Sequence, residues 1–478
     1  MTTVPPPARS MTPVETARVA AAARAAAERW RRVPVGERSE AVSEVWRRIY
    51  QRRAELYKVV HSETCKPLVE FEAMELCPTD LIVKYFASNA RRILEEAPAD
   101  KSWIMANKRA FVRWLPRGVV GLITPWNFPF LIPFGDSVPA LMAGNAVLIK
   151  PSEWTTRTML WTADAVQGTG LLPEGLFSVA TGDGSVGRQV LQTSDMVLFT
   201  GSTRTGRAVA QEAGGLLKPV VLELGGKHPM IVLRDAAVPR AARAAVWGAF
   251  ANCGQVCVGI ERALVEDEIH DRFVAAVRAE MGRLRQGLGG TGVDVGRLIF
   301  PPQFERVMDQ LEDARSKGAT VIGGEVADAD NLMIRPALVL GATLEMKVMR
   351  EETFGPVLPV MKVSCAEEAV RLANDAPYGL AASIWSADLD RAESLAASVE
   401  AGMVGVNDCL SHYAVPSLPF GGVKSSGLGR RHSEEGLRMF CSSQAVLTHE
   451  WPASMPDPWW YPYESWKSRL LEWIQRLT

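Results

Sequence analysis

The segment Asn252-Cys253-Gly254-Gln255-Val256-Cys257 sets two thiols in a run of small, uncharged residues, a composition that can present sulfur to a small molecule. A cysteine is more often an inert core residue, and no histidine stands close by in sequence. A reactive thiolate here needs backbone amides, a remote base or a bound positive charge, all supplied by the fold. Cys253 could cap Cys257 oxidatively, although packing is the commoner role for such a residue. A second segment, Met196-Val197-Leu198-Phe199-Thr200-Gly201-Ser202-Thr203-Arg204-Thr205-Gly206, reads as strand, tight turn and helix start. Backbone N–H groups face a pyrophosphate in that geometry, but the middle glycine of the usual G-x-G-x-x-G pattern is missing. Glu223 ends the next apparent strand about 20 residues later, where a dinucleotide fold often sets its ribose-binding carboxylate. Because Leu224-Gly225-Gly226-Lys227 follows it as an approachable turn, spacing leaves its role open.

The elements that must position these residues show in the hydrophobic pattern. Thr12-Pro13-Val14-Glu15 supplies an N-cap, a first-position proline and a returning glutamate, so a helix starts there. From Glu37 to about Ser62, Val42, Val45, Trp46, Ile49 and Leu56 recur at helical spacing. Short apolar runs follow at Val119-Ile123, Ala146-Ile149, Phe177-Ala180, Met196-Phe199 and Val220-Leu222, the rhythm of a parallel α/β unit. A second unit repeats it, with runs near Ala263-Val265, Val357-Val363 and Ala381-Trp385 and helical patterns near Ile269-Met281, Phe304-Ser316 and Glu367-Asn374. Between Ser102 and Leu115, Trp103, Ile104, Phe111 and Trp114 alternate with Lys108, Arg109 and Arg113, which suits an extended arm or hairpin.

Composition removes several function classes. With 478 residues and 47% hydrophobic content the chain can bury two or three cores. Lys plus Arg number 53 against 54 Asp plus Glu, so no broad basic field is available for nucleic acid. Seven scattered cysteines fit reduced thiols in a cytoplasm better than a disulfide framework. No four-ligand Cys/His spacing exists, so no metal is expected. Residues 1–10 carry three consecutive prolines and no apolar signal core. The run Gly118 to Gly135 has no charge, yet Pro125, Pro129 and Pro133 exclude a spanning helix and predict a buried strand followed by a loop.

Seven motifs, taken together and in order, carry a resemblance. Pro125-Trp126-Asn127-Phe128-Pro129, Lys150-Pro151-Ser152-Glu153, Gly201 to Gly206, Glu223-Leu224-Gly225-Gly226-Lys227, Gly254-Gln255-Val256-Cys257, Glu351-Glu352-Thr353-Phe354-Gly355-Pro356 and Pro419-Phe420-Gly421-Gly422 resemble the NAD(P)-dependent aldehyde dehydrogenase superfamily. The resemblance runs from about Thr12 to about Thr448. It implies an α/β fold of two Rossmann-like domains with a β oligomerisation arm. The dinucleotide-binding domain would span 1–101 and 117–225, the arm 102–116 and 437–449, the catalytic domain 226–436, and an aromatic extension 450–478. Cys257 matches the nucleophile, Asn127 the oxyanion donor, and Glu223 the base that activates water, which overrides its ribose reading. Trp126, Gly201, Ser202 and Leu224 match the pyrophosphate region, Lys150 and Glu153 the adenosine ribose site, and Glu352 and Phe354 the nicotinamide site. A carboxylate at Glu153 opposes a 2′-phosphate, so NAD is favoured and NADP remains possible. The non-acylating reaction is implied, because CoA-acylating relatives typically lack the equivalent of Glu223. A non-catalytic protein on this fold would be expected to have lost the nucleophile or the base.

The matched tunnel positions are Phe128, Ile132, Gly135, Ala251, Val256, Val258, His412, Ala414 and Phe420. Gly135, Ala251 and Ala414 are small, and no arginine is among the nine, which predicts a wide pocket for a bulky aromatic or long-chain aldehyde. A succinate-semialdehyde-type substrate is the alternative. The tail holds Trp459, Trp460, Tyr461, Tyr463, Trp466 and Trp473, and Glu464 to Leu477 has the pattern of an amphipathic helix. Docking of that helix on the protein or a partner subunit is expected over a lipid surface, the setting of a membrane-associated fatty aldehyde dehydrogenase. A homodimer or homotetramer is expected.

Overall fold

The computed structural model describes residues 8–452, 454, 456–457 and 459–476; residues 1–7 of the proline-rich start and Leu477 of the tail pattern lie outside them. The first helix, Pro13–Trp30, opens with the capping box that its sequence spells. Thr12 Oγ1 accepts the Glu15 N–H at 3.2 Å, and the Glu15 carboxylate accepts the Thr12 N–H at 2.7 Å. The amphipathic stretch that follows is two helices, Val35–Gln51 and Arg53–Thr64, parted at Arg52. Both halves bury the same side, through Val42, Val45, Trp46 and Ile49 and then Leu56 and Val60, so the periodicity runs through the break.

Two sheets organise the rest. The first has the order Phe177–Val179, Ala146–Lys150, Val119–Ile123, Met196–Thr200, Val220–Glu223, Gly427–Leu428. Its first five strands are parallel and reverse their sequence order beside Val119–Ile123, as in a doubly wound dinucleotide fold. Every residue of Ala146–Lys150 and Met196–Thr200 is buried, which is why these strands read as unbroken apolar runs. The sixth strand arrives from far along the chain and pairs antiparallel, Gly427 opposite Glu223.

The second sheet has the order Thr320–Ile322, Ala337–Leu340, Val357–Val363, Arg262–Glu266, Pro229–Val232, Ala381–Trp385, Met403–Val406, parallel except for its first strand. The arm pairs Lys108–Pro116 with Cys441–His449 over nine antiparallel positions.

The uncharged run corrects one expectation. After the strand Val119–Ile123 and a short connection, its end enters the helix Leu131–Met142, every residue of which is buried. Pro133 is tolerated because it stands in the first turn, where a helical N–H has no partner within the helix.

The tail helix forms at Ser465–Gln475, but none of its residues is buried. Trp473 lies edge-on to Trp103, 6.4 Å between centroids, and no residue of the apolar face is fully covered by the described residues. The extension is instead fastened at its start, where Asp457 accepts from Lys108 Nζ at 2.6 Å and Asn107 Nδ2 at 2.9 Å. Among the described residues no helix is long and apolar enough to cross a membrane.

Candidate active site

Cys257 follows a tightly wound loop. Asn252, Cys253 and Gly254 take φ values of 50°, 57° and 75°, three consecutive left-handed residues. A Cβ on Gly254 would lie 2.1 Å from the Gly355 carbonyl oxygen, so only glycine lets the loop reach that depth. Gln255, fully buried, bolts it down: Nε2 donates to the Asn252 and Arg297 carbonyls at 2.7 and 3.2 Å, and Oε1 accepts the Ile299 N–H at 2.9 Å. Such an enclosed, satisfied loop holds Cys257 in one place while leaving it half-buried. Burial pushes the thiol up to about 12; the Arg431 cation opposes this and Glu223 and Glu352 add to it.

Glu223 terminates its strand between two neighbours, Thr200 on one side and Gly427 on the other. It is 3% exposed, and neither carboxylate oxygen has a hydrogen-bond partner among the described residues. Burial raises its pKa to about 8, moderated by Arg431 and increased by Asp136. A buried carboxyl without partners is costly as an anion, so it holds its proton near neutrality and can exchange it there. A Cβ on Gly421 would come within 3.0 Å of Glu223 Oε1, which explains a glycine against the carboxylate.

Asn127 lies in the connection before the helix Leu131–Met142. Its Nδ2 donates to the Gln255 carbonyl at 2.9 Å, which ties it to the Cys257 loop. Its own carbonyl accepts from Lys66 Nζ at 3.1 Å and Asn252 Nδ2 at 3.0 Å.

The remaining sequence-selected residues fall into two groups. At the reversal point of the first sheet, Ser202 Oγ caps the helix Thr203–Gly215 by accepting the Thr205 N–H. A Cβ on Gly206 would lie 2.3 Å from Leu224 Cδ2 and one on Gly201 2.7 Å from the Phe199 ring, so both glycines allow close approach of helix start and strand ends. Lys150 and Glu153 pair at 3.1 Å. Trp126 sits edge-on to Phe354 at 5.5 Å. Glu352 Oε1 accepts the Gly226 N–H at 3.0 Å, and burial raises its pKa to about 7. The Phe354 turn is held by Glu261, which accepts the Thr353 and Phe354 N–H groups at 2.9 Å each and pairs with Lys227 at 2.7 Å. A capped helix start, glycine clearance and a carboxylate–ammonium pair with a buried Lys150 and a half-buried Glu153 fit a dinucleotide.

In the second group, Phe128, Ile132, Ala251, Val256, Val258 and Phe420 are buried, and Gly135, His412 and Ala414 belong to the elements around them. Phe128 lies under the Lys66 ammonium at 4.1 Å. His412 packs toward Gly405, where a Cβ would meet its Cε1 at 3.5 Å.

Sequence reasoning missed a cluster beside Glu223 and Cys257. Arg431 pairs with Asp136 at 3.1 Å and donates to Thr200 Oγ1. Tyr413 packs on Phe420 and His432, with centroids 4.9 and 4.7 Å away, and its buried hydroxyl has no partner among the described residues. That hydroxyl approaches the space beside Gly135, 4.0 Å from where a Cβ would stand, so an unanticipated ring fills part of the room Gly135 leaves. Signals existed: Asp136 is the one charge in a wholly buried helix, and Arg430-Arg431-His432 closes the glycine-rich segment after Phe420.

A half-buried thiol, a buried carboxyl with no partner among the described residues and a capped strand-to-helix turn suit an oxidoreductase of thiol type. The chain belongs to the Aldehyde dehydrogenase family, whose pattern it matches over residues 7–446. It is 39% identical over 445 residues to the 4,4'-diapolycopene aldehyde oxidase of Methylomonas sp, covering 92% of this chain and 83% of that protein. It is 38% identical over 448 residues to a Mycolicibacterium smegmatis protein provisionally named succinate-semialdehyde dehydrogenase [NADP(+)], covering 91% and 86%. Among solved structures, a Mycobacterium tuberculosis aldehyde dehydrogenase complexed with NAD+ superposes with a TM-score of 0.87 at 30% identity, covering 94% of this chain and 92% of that one.

Proposed function

We propose that this chain oxidises an aldehyde to its carboxylic acid with NAD+ as hydride acceptor, through a thioester on Cys257. The observation that carries this reading is the Glu223 carboxyl, buried with both oxygens unengaged in the same charge cluster as the Cys257 thiol. The sulfur, once deprotonated, adds to the carbonyl carbon, and the carbonyl π pair moves onto oxygen. Asn127 Nδ2 and the Cys257 backbone N–H hold that oxyanion. A dinucleotide held by Glu352 and Phe354 would supply the acceptor for the hydride that leaves the same carbon. As the oxygen pair re-forms the carbonyl, a thioester remains on Cys257. Glu223 removes a proton from water as the water oxygen attacks; the C–S bond breaks and the acid leaves.

Ser202, Trp126, Gly201 and Leu224 would receive the pyrophosphate, Lys150 and Glu153 the adenosine ribose hydroxyls, and Glu352 and Phe354 the nicotinamide ribose and ring. The Glu153 carboxylate repels a 2′-phosphate, which favours NAD over NADP. We assign 1–101 and 117–225 to dinucleotide binding, 226–436 to catalysis, and 102–116 with 437–449 to subunit assembly. Among the described residues the strand Cys441–His449 has a strand partner on one edge only, which favours a homodimer or homotetramer. Seven free thiols favour a reducing, cytoplasmic setting.

Stopped-flow NADH absorbance tests the mechanism. Glu223→Gln is expected to keep the first-turnover burst while steady-state turnover falls about 10²–10⁴-fold. Cys257→Ser is expected to lose both, and a folded Cys257→Ser protein as fast as its parent would refute the proposal.

For substrate, the small side chains at Ala251 and Ala414, with what Tyr413 leaves of the room at Gly135, favour a bulky aromatic or long-chain aldehyde, in line with the name of the Methylomonas relative. The name of the Mycolicibacterium relative favours a semialdehyde instead. Against that, no arginine stands among the nine matched tunnel positions to clamp a substrate carboxylate. A panel of decanal, benzaldehyde and succinate semialdehyde is expected to give the lowest kcat/KM with the last; the reverse ranking rejects the assignment.

A further inference from the structure

A second buried ion pair, Lys66–Glu75, meets the Asn252 side chain of the Cys257 loop at the Asn127 carbonyl and has no part in the proposed chemistry. Both side chains are fully buried, with Lys66 Nζ 2.5 Å from Glu75 Oε1. Each remaining side-chain hydrogen bond of the pair reaches the short segment from Asn127 to Leu131, while the Lys66 charge also acts on Glu70. Lys66 Nζ donates to the Asn127 carbonyl at 3.1 Å and lies 4.1 Å from the Phe128 ring centroid. Glu75 Oε2 accepts the N–H groups of Phe130 and Leu131 at 3.2 and 2.7 Å. Those groups open the helix Leu131–Met142, whose own cap residue, Phe130, supplies no side-chain bond. A carboxylate from another element therefore does the capping. Glu75 itself stands in a π-helical turn, Glu72–Leu76, a wide turn that re-aims a side chain relative to regular helix.

Burying two charges returns little net stability, because desolvation offsets their attraction. Orientation is the better explanation. We infer that Lys66 and Glu75 are positioning residues that fix the Asn127 amide for the oxyanion, Lys66 through the Asn127 carbonyl and Glu75 through the helix start that follows. This rests on the reading of Asn127 as the oxyanion donor.

The test separates the two. The double variant Lys66→Met/Glu75→Gln removes the charges together, keeps an acceptor for the Phe130 and Leu131 N–H groups, and deletes the bond to Asn127. With full-length enzyme, saturating NAD and decanal, the NADH burst rate is expected to fall about 10–100-fold, within the cost of losing one oxyanion donor. NAD affinity, read by fluorescence titration, should stay within about two-fold, a split that a general structural defect would not produce. In an Asn127→Ala background the same double change should slow the burst no further, since both act through one amide. An unchanged burst in the double variant, or full additivity with Asn127→Ala, overturns the inference. An Asn127→Ala burst equal to the parent's would instead refute the oxyanion reading beneath it. Should the double variant not fold, Lys66→Arg keeps the charge but moves the donors; the same slowing supports the inference and a parental burst rejects it.

Discussion

Two buried charge clusters flank the Cys257 loop, and they differ in how completely their polar atoms are engaged. In the Lys66–Glu75 cluster every carboxylate oxygen has a donor. In the Glu223–Asp136–Arg431 cluster, both Glu223 oxygens, Asp136 Oδ2 and Arg431 Nε have no hydrogen-bond partner among the described residues, although Asp136 Oδ2 lies 3.1 Å from the guanidinium. Burying an unsatisfied polar group costs about 1–3 kcal/mol, so the second arrangement is dear where the first is not. A saturated cluster fixes geometry, whereas an unsaturated one keeps lone pairs and protons available for reactants. The difference separates scaffold from chemistry within one active-site region.

The comparison can be broken most severely at the saturated pair. Lys66→Met alone leaves Glu75 buried without its counter-charge and is expected to cost about 3–5 kcal/mol in urea-induced unfolding. A loss below about 1 kcal/mol would show that the two clusters do not differ in kind.

Glu223→Gln should act in the opposite direction on stability. The Glu223 carboxyl is raised from its ordinary 4.5 to about 8 in the folded chain. Between those values the unfolded state gives up the proton and the folded state keeps it, so the folded state loses ground as pH rises. This burden is absent below about pH 4.5 and complete above about pH 8. Melting temperatures at pH 6 and pH 9 are expected to drop less for Glu223→Gln than for the parent; equal drops contradict the assignment.

The smallest effect is expected at Asp136. The groups acting on Glu223 are Arg431 and Arg430, which lower its pKa, and Asp136, which raises it. Asp136→Asn removes the raising charge, so the alkaline rise in deacylation rate should move to lower pH by up to about one unit. A shift to higher pH would mean that Asp136 acts by holding Arg431 and not by its charge.

Much of this architecture was legible before folding. The capping box at Thr12–Glu15 and the apolar strand runs carry local signals that tertiary structure had no reason to override. Only the start of the Leu131–Met142 helix falls in the run Gly118 to Gly135, whose three prolines suggest loop although Pro133 needs only a first-turn position. Cys257 and Glu223 stood out by local glycine context and by family resemblance. Arg431, Asp136 and Tyr413 did not, because their significance is the meeting of three distant segments around one carboxylate. The exposed tail helix marks another limit: an amphipathic pattern states that a face is apolar, not what covers it.

The antiparallel pairing of Gly427–Leu428 with Val220–Glu223 also has a consequence for biosynthesis. The strand bearing Glu223 gains its second neighbour only from a segment roughly two hundred residues downstream, a high-contact-order closure that is slow to form. Until that segment has been made, the strand presents a bare edge, the kind of surface through which incomplete chains associate. The surroundings of the Glu223 carboxyl are thus complete only once that downstream segment has joined the sheet.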